Sequence, residues 1–392
     1  MAKRIWWQLP KIRKDEDQHR DRRVSWLELF FDLVFVAAIS QLSVNLAKDA
    51  TLVGVAKFSL LFASVWWVWI GSTFYNERFE TEGLENRLFT FLIVIPTAGL
   101  AIFAHNGLST NYVGFALSYF FARLIINILW ARAGYHERVF RPVAIRYAFG
   151  FSLSNVLVLI SVFVSHPFNL VLLGIGLLSD FATPFFTLSQ VEKLPRFSTS
   201  RLPERFGIVI LIVLGEAVAA VVQGLANKDK LSAKSMEVGI LGITLSFCFC
   251  WIYFDFIARR AAHPRPLASF FWAYLHVPLV MAIIATSGGI LNIVNDTGSA
   301  LPVNIKILIA ASTAFCIICM GLIETTLKRE KDEPSHSIYS PLLKFAVAIP
   351  AIMLCFMGNN ISAVVLLLIL IASMIFVMAY GTYVWFSQEN VQ

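Results

Sequence analysis

The fold class this sequence predicts is all-α: a polytopic membrane protein of about twelve transmembrane helices, arranged as two parallel six-helix repeats with both termini in the cytoplasm. Three observations predict it. The chain is strongly apolar, with 58% of its 392 residues hydrophobic and 15% charged and a mean hydropathy of +0.71. Its apolar residues come in runs long enough to cross a bilayer. Its Lys and Arg gather on alternate loops.

Composition comes first because a soluble domain of this length does not carry so few charges. Crossing ~30 Å of hydrocarbon as helix takes ~20 residues. Runs of that length cover 26–46, 52–75, 88–106, 111–134, 143–164, 167–189, 205–225, 236–258, 269–293, 301–325, 339–357 and 360–386. With no water in the bilayer core, each run must satisfy its own backbone, which in an unbroken apolar segment means helix.

Sidedness is the third observation. The first 25 residues hold eight Lys or Arg together with Asp15, Glu16, Asp17 and Asp21, and lack the apolar stretch and small-residue site of a cleaved leader. They read as a basic cytoplasmic arm on anionic headgroups, with Trp6 and Trp7 as interfacial anchors. Positive-inside bias accounts for the net charge of +7, so no nucleic-acid partner is expected. Alternating from an inside start, cytoplasmic segments hold 24 of the 32 Lys and Arg, and losing one span would spoil that asymmetry.

The second half lays over the first. LIVIPTAGLAIFAHNG in the third span matches YLHVPLVMAIIATSGG in the ninth, placing Pro96 on Pro278, and FFDLVFVAAISQ matches VLGEAVAAVVQG. The expected organisation is a basic arm at 1–25, a first repeat at 26–190, a cytoplasmic linker at 191–204 and a second repeat at 205–387. Repeats of even helix number share one orientation, and substrate sites lie between such halves. Pro96 and Pro278 at matched positions are candidate hinges, while Pro184 and Pro350 also interrupt apolar runs.

An ionised side chain at a helix centre costs roughly 2.5–3.5 kcal/mol, so each one needs a reason. Glu28 and Asp32 stand one turn apart on the first span, and Gln41 continues that polar line. Glu216 lies eleven residues past Arg205, roughly 16 Å along its helix and near midplane. Asp180 on the sixth span, Arg123 on the fourth and His276 on the ninth complete the set. Three deep carboxylates against one guanidinium leave an acidic excess suited to cation or proton handling. Pairing of Arg123 with Asp180 or Asp32 as glue between helices is the plainer alternative. Asp255 and Glu324 fall at cytoplasmic ends, where acids reach water, and Trp66, Trp67 and Trp69 read as belt or packing residues.

Other chemistries find little footing. Neither GxxxxGK[ST] nor HExxH occurs, and no Ser-His-Asp pattern stands out. Cys248, Cys250, Cys316, Cys319 and Cys355 lie in apolar runs without His or carboxylate at ligand spacing, so they read as packing residues. No catalytic residue, metal or cofactor is expected.

The string ELFFDLVFVAAISQLS from Glu28 to Ser43 closely resembles the hallmark of the bacterial low temperature requirement A (LtrA) family, and ERFGIVILIVLGEAV from Glu204 to Val218 and LHVPLVMAI around His276 extend the resemblance. It implies that Glu28, Asp32, Glu204, Arg205, Glu216 and His276 belong to the family pattern; Arg201 stands where many relatives would carry His. The family's name records a cold-growth phenotype and implies no substrate. The residues themselves lead to a secondary transporter or channel of the cell membrane, moving a small cation or a proton-coupled solute. Glu28, Asp32 and Glu216 would line its path. The alternatives are a membrane-embedded enzyme acting on lipid, with Asp32 and Asp180 as acid and base, or a low-temperature-adaptation factor without transport. The bilayer is the expected partner, and a homo-oligomer is left open.

Overall fold

A computed structural model of the chain describes residues 6–13, 24–80, 83–195, 201–228, 230–258, 260–295, 301–328, 336–358 and 361–389. Most of the basic arm, Arg196 in the linker and the Asn359-Asn360 break lie outside them. The described residues form thirteen α-helices, and twelve spans of helix are long and apolar enough to cross a membrane. In chain order the helices are α1 (Trp26–Lys48), α2 (Leu52–Arg78), α3 (Leu84–Phe103), α4 (Tyr112–His136), α5 (Arg141–Ser161), α6 (Phe168–Ala182), α7 (Leu188–Val191), α8 (Arg201–Ala226), α9 (Ala233–Phe256), α10 (Pro266–Asn295), α11 (Val303–Thr325), α12 (Tyr339–Phe356) and α13 (Ala363–Glu389). The molecule is a multi-pass membrane protein with an all-α fold. Its one described sheet is a two-residue antiparallel ladder, in which β1 (Lys11–Ile12) pairs with β2 (Phe79–Glu80).

Every predicted span coincides with a helix, and the differences at the ends are informative. The second run was expected to stop at 75, yet α2 continues to Arg78; the seventh was expected from 205, yet α8 begins at Arg201. Hydropathy falls where charges begin, but the backbone stays helical because those charges are paired. Pro184 does end a helix: α6 stops at Ala182 and a 3₁₀ turn over Phe185–Thr187 leads into α7. Pro96, Pro278 and Pro350 instead lie inside α3, α10 and α12.

The chain divides into two compact units, one of residues 1–42 and 57–205 and one of 43–56 and 206–392. In unit 1, α3, α4, α5 and α6 pack in succession. Helix α4 meets α5 closely because a Cβ on Gly134 would stand 2.1 Å from that of Ala144, so only glycine fits. Phe35, Phe62, Trp66 and Trp69 are fully buried and pack ring on ring, with Trp66 and Trp69 4.9 Å apart. The three tryptophans Trp66, Trp67 and Trp69 are therefore packing residues, held by dispersion and ring geometry.

In unit 2, α10 packs on α9 and α11, α11 on α12, and α13 on α9 and α12. Helix α9 opens with a capping box: Ser232 Oγ accepts from the Ser235 amide at 3.1 Å, and Ser235 Oγ accepts from the Ser232 amide at 3.1 Å. Thr286 and Ser312 hydrogen-bond across α10 and α11 at 2.7 Å, and Asn292 Nδ2 donates to the Ala47 carbonyl at 2.8 Å. Such polar contacts hold helices together where lipid offers no competing partner.

Candidate functional site

Helix α1 opens with its own cap, because Ser25 Oγ accepts from the Glu28 amide at 3.3 Å while Glu28 Oε2 accepts from the Ser25 amide at 2.9 Å. This fixes the carboxylate of Glu28 at the helix entrance, leaving Oε1 to pair elsewhere. Asp32 follows one turn later and is fully buried.

Within unit 1 both acids meet the first turns of α8. Arg201 Nη2 donates to Glu28 Oε1 at 2.6 Å, and its Nη1 donates to Glu77 Oε2 and to the Asn76 carbonyl, each at 3.1 Å. Arg205 Nη2 donates to Asp32 Oδ1 at 3.0 Å and to Thr73 Oγ1 at 3.2 Å, with its Nη1 3.6 Å from Glu28. Trp69 Nε1 donates to the same Asp32 oxygen at 2.8 Å. Arg13 closes the chain on Glu77 at 3.2 Å. Asp32 Oδ2 and Arg205 Nε are buried without a hydrogen-bond partner among the described residues.

This arrangement corrects the expected charge balance. Glu28, Asp32 and Glu77 face Arg13, Arg201 and Arg205, so the acids are matched one for one. The excess came from placing Arg201 and Arg205 at the water surface, whereas both are buried. Arg201, which departs from the expected family pattern, carries two of the ion pairs, while Glu204 is exposed. Glu77, Thr73 and the donor role of Trp69 were missed. Glu77 sits beyond the apolar run and carries no local mark, but its four-residue spacing from Thr73 puts both on one face of α2.

Asp180 and Arg123 form a second cluster in unit 1. Asp180 accepts from Arg123 Nη2 at 2.9 Å, Tyr119 Oη at 2.5 Å and Ser154 Oγ at 2.8 Å, and the guanidinium lies 4.6 Å from the centre of the Phe151 ring. Gly71 makes room for it, since a Cβ there would stand 2.8 Å from Arg123 Nη1. Both carboxylate oxygens are used, and α4, α5 and α6 are tied to one point. Asp32 and Asp180 thus belong to separate clusters.

In unit 2, His276 is fully buried between Tyr253 and the Trp272 carbonyl. Nδ1 lies 2.7 Å from that carbonyl and must donate to it, which fixes the ring's orientation, and Nε2 stands 3.0 Å from Tyr253 Oη. The ring packs against Phe206 and Trp272. Glu324 was expected at a watery helix end but is buried: Lys344 Nζ stands 2.7 Å from Oε2, donates to Ser340 Oγ at 3.1 Å and lies 3.6 Å from the Phe256 ring centre. Lys344 is too costly to bury alone, and it draws the acid in with it. Asp255 is exposed, as expected of an end position. Glu216 is half-buried on α8 in unit 2, and Gln41 is exposed on α1 in unit 1. Among the described residues no three His, Cys, Asp or Glu side chains stand together as a metal site, and the five cysteines are unbridged.

The model of the bacterial low temperature requirement A protein family matches residues 23–375, and the chain belongs to that family. The chain is also similar to an uncharacterised protein of Rhizobium meliloti, at 28% identity over 293 residues, which cover 68% of each chain. No solved structure matches it.

Proposed function

We propose that this member of the low temperature requirement A family is a secondary transporter of the bacterial cell membrane, moving a proton-coupled solute with the Asp32–Arg205 pair as its coupling element. One observation carries the reading. Asp32 is fully buried on the first apolar span and spends one oxygen on Trp69 and Arg205, while the other has no hydrogen-bond partner among the described residues. A carboxylate used only as glue looks like Asp180, with every oxygen engaged. An unspent oxygen is the place for a proton, which would neutralise Asp32 and release Arg205 toward Glu28, 3.6 Å away. The network thus has two arrangements of one set of charges, the device an alternating-access cycle needs.

Matched charges favour proton-coupled movement of a solute over a standing cation path, which would keep an acidic lining. The reading includes cytoplasmic termini, supported by the Lys and Arg distribution, and parallel six-helix repeats, supported by the overlay of the third span on the ninth. A lipid-directed enzyme using Asp32 and Asp180 together draws no support from their separate clusters. Proton and potassium flux into proteoliposomes tests the proposal, comparing wild type with Asp32→Asn and Glu216→Gln at matched incorporation and across a panel of solutes. Proton flux that depends on a solute and is lost in Asp32→Asn, with the fold retained, is the expected result. Equal flux in wild type and Asp32→Asn, or none with any solute, refutes it.

A further inference from the structure

The turn between α4 and α5 is fixed from within. Phe140 is buried there and packs on Phe79 and Trp130, with ring centres 5.1 and 5.5 Å away. Arg141 closes the end of α4, donating through Nε to the Gly134 carbonyl at 3.3 Å and through Nη2 to the Tyr135 carbonyl at 3.2 Å. The outer surface of the turn is therefore held in one shape, at the boundary of two apolar spans.

That surface is basic, with no acid engaged to answer it. Residues 132–146 hold four arginines, Arg132, Arg138, Arg141 and Arg146, against Glu137. Arg132 donates to the Gln8 carbonyl at 2.7 Å, and Arg141 to the two carbonyls of α4, so both spend their bonds on neutral groups. Arg138 and Arg146 are exposed and make no side-chain hydrogen bond or ion pair among the described residues, and the Glu137 carboxylate pairs with none of the four. Arg146 is the fourth residue of the fifth apolar run, about 4.5 Å in from its start at ~1.5 Å per residue. Within one turn of it stand Ile145 and Phe149, 64% and 77% exposed. Apolar side chains so open on a membrane span lie against acyl chains. A guanidinium among them extends its stem toward the headgroup layer, and its planar fork suits a phosphate.

We propose that the α4–α5 turn binds an anionic phospholipid, with Arg138 and Arg146 on its phosphate and its acyl chains along Ile145 and Phe149. A free phosphate would leave those two side chains uncovered, so the lipid is the occupant. Trp7 lies 5.1 Å from the Arg132 guanidinium, and Trp6 and Trp7 are 77% and 58% exposed. They extend the same surface with aromatic rings suited to headgroup depth. Nothing in this site depends on transport.

Native mass spectrometry of the full chain in detergent tests the site, with phosphatidylglycerol and phosphatidylcholine of the same acyl chains as probes. Wild type should bind phosphatidylglycerol more tightly than phosphatidylcholine. At about fivefold per basic side chain, Arg138→Gln/Arg146→Gln should weaken phosphatidylglycerol about 25-fold and leave phosphatidylcholine as it was. Arg138→Lys/Arg146→Lys keeps both charges and should keep most of the affinity, which separates loss of the site from loss of the fold. Arg265→Gln/Lys328→Gln takes two exposed charges from unit 2 instead and should leave binding unchanged, because charge acts here only at short range. A wild type without the preference overturns the site, as does binding untouched in Arg138→Gln/Arg146→Gln or lost equally in the unit 2 variant. Displacement of the lipid by soluble glycerol phosphate at equal concentration also overturns it, since the acyl contacts would then count for nothing.

Discussion

Asp180→Ala should be among the most destabilising single substitutions in unit 1. The carboxylate takes hydrogen bonds from Arg123, Tyr119 and Ser154 at 2.5–2.9 Å, and both it and Arg123 are 1% exposed or less. Truncation leaves a guanidinium in a dry site with only the Phe151 ring beside it, and breaking a buried pair from one side costs about 3–5 kcal/mol. At roughly 2–4 °C per kcal/mol for a domain of this unit's size, the melting temperature should fall by roughly 10 °C. Tryptophan fluorescence during heating in detergent reads it, since Trp66, Trp67, Trp69 and Trp130 are buried in the same unit. Asp180→Ala/Arg123→Met removes the stranded charge as well, so it should recover more than half of the loss. A single variant melting within about 2 °C of wild type, or a double variant losing the sum of the two singles, would refute the account of this cluster.

The other predictions are smaller or lie elsewhere. Gly134→Ala drives a methyl to 2.1 Å from Ala144 Cβ and should cost about 1–3 kcal/mol by overpacking, read in the same melt. Ser25→Ala removes the cap of α1 and should cost about 0.5–2 kcal/mol; it should also loosen Glu28, seen as faster exchange of the first-turn amides of α1. Lys344→Met takes from the buried Glu324 its 2.7 Å partner and leaves it Arg260 at 3.7 Å, so it should cost less than the full loss of a buried pair, about 1–3 kcal/mol, with Glu324→Gln restoring part of it in the double variant.

Some of the site was legible before the structure. Glu28 and Asp32 stood out because charges in an apolar run are costly, and Arg123 with Asp180 was one of two pairings that cost suggested. The charge balance was misread because Arg201 lies just outside the seventh apolar run, Arg205 is its first residue, and Glu77 lies just outside the second. A window that sums hydropathy places such residues in water, and a residue whose cost is cancelled by a distant partner leaves no trace in that sum. Trp69 misled for a related reason: its ring packs and its one N–H bonds, and sequence alone shows only the ring.

The sequence by itself determined the number of spans and, to within a few residues, where they lie, because crossing hydrocarbon is a local requirement met by some twenty consecutive residues, each satisfying its own backbone. It also determined the family, through motifs that need no folding to be seen. Only the tertiary structure decided which charges meet. Arg201 and Arg205 reach Glu28 and Asp32 across 173 positions of chain, and whether a carboxylate ends up saturated like Asp180 or half-engaged like Asp32 depends on side chains brought together by packing, on which no local pattern bears.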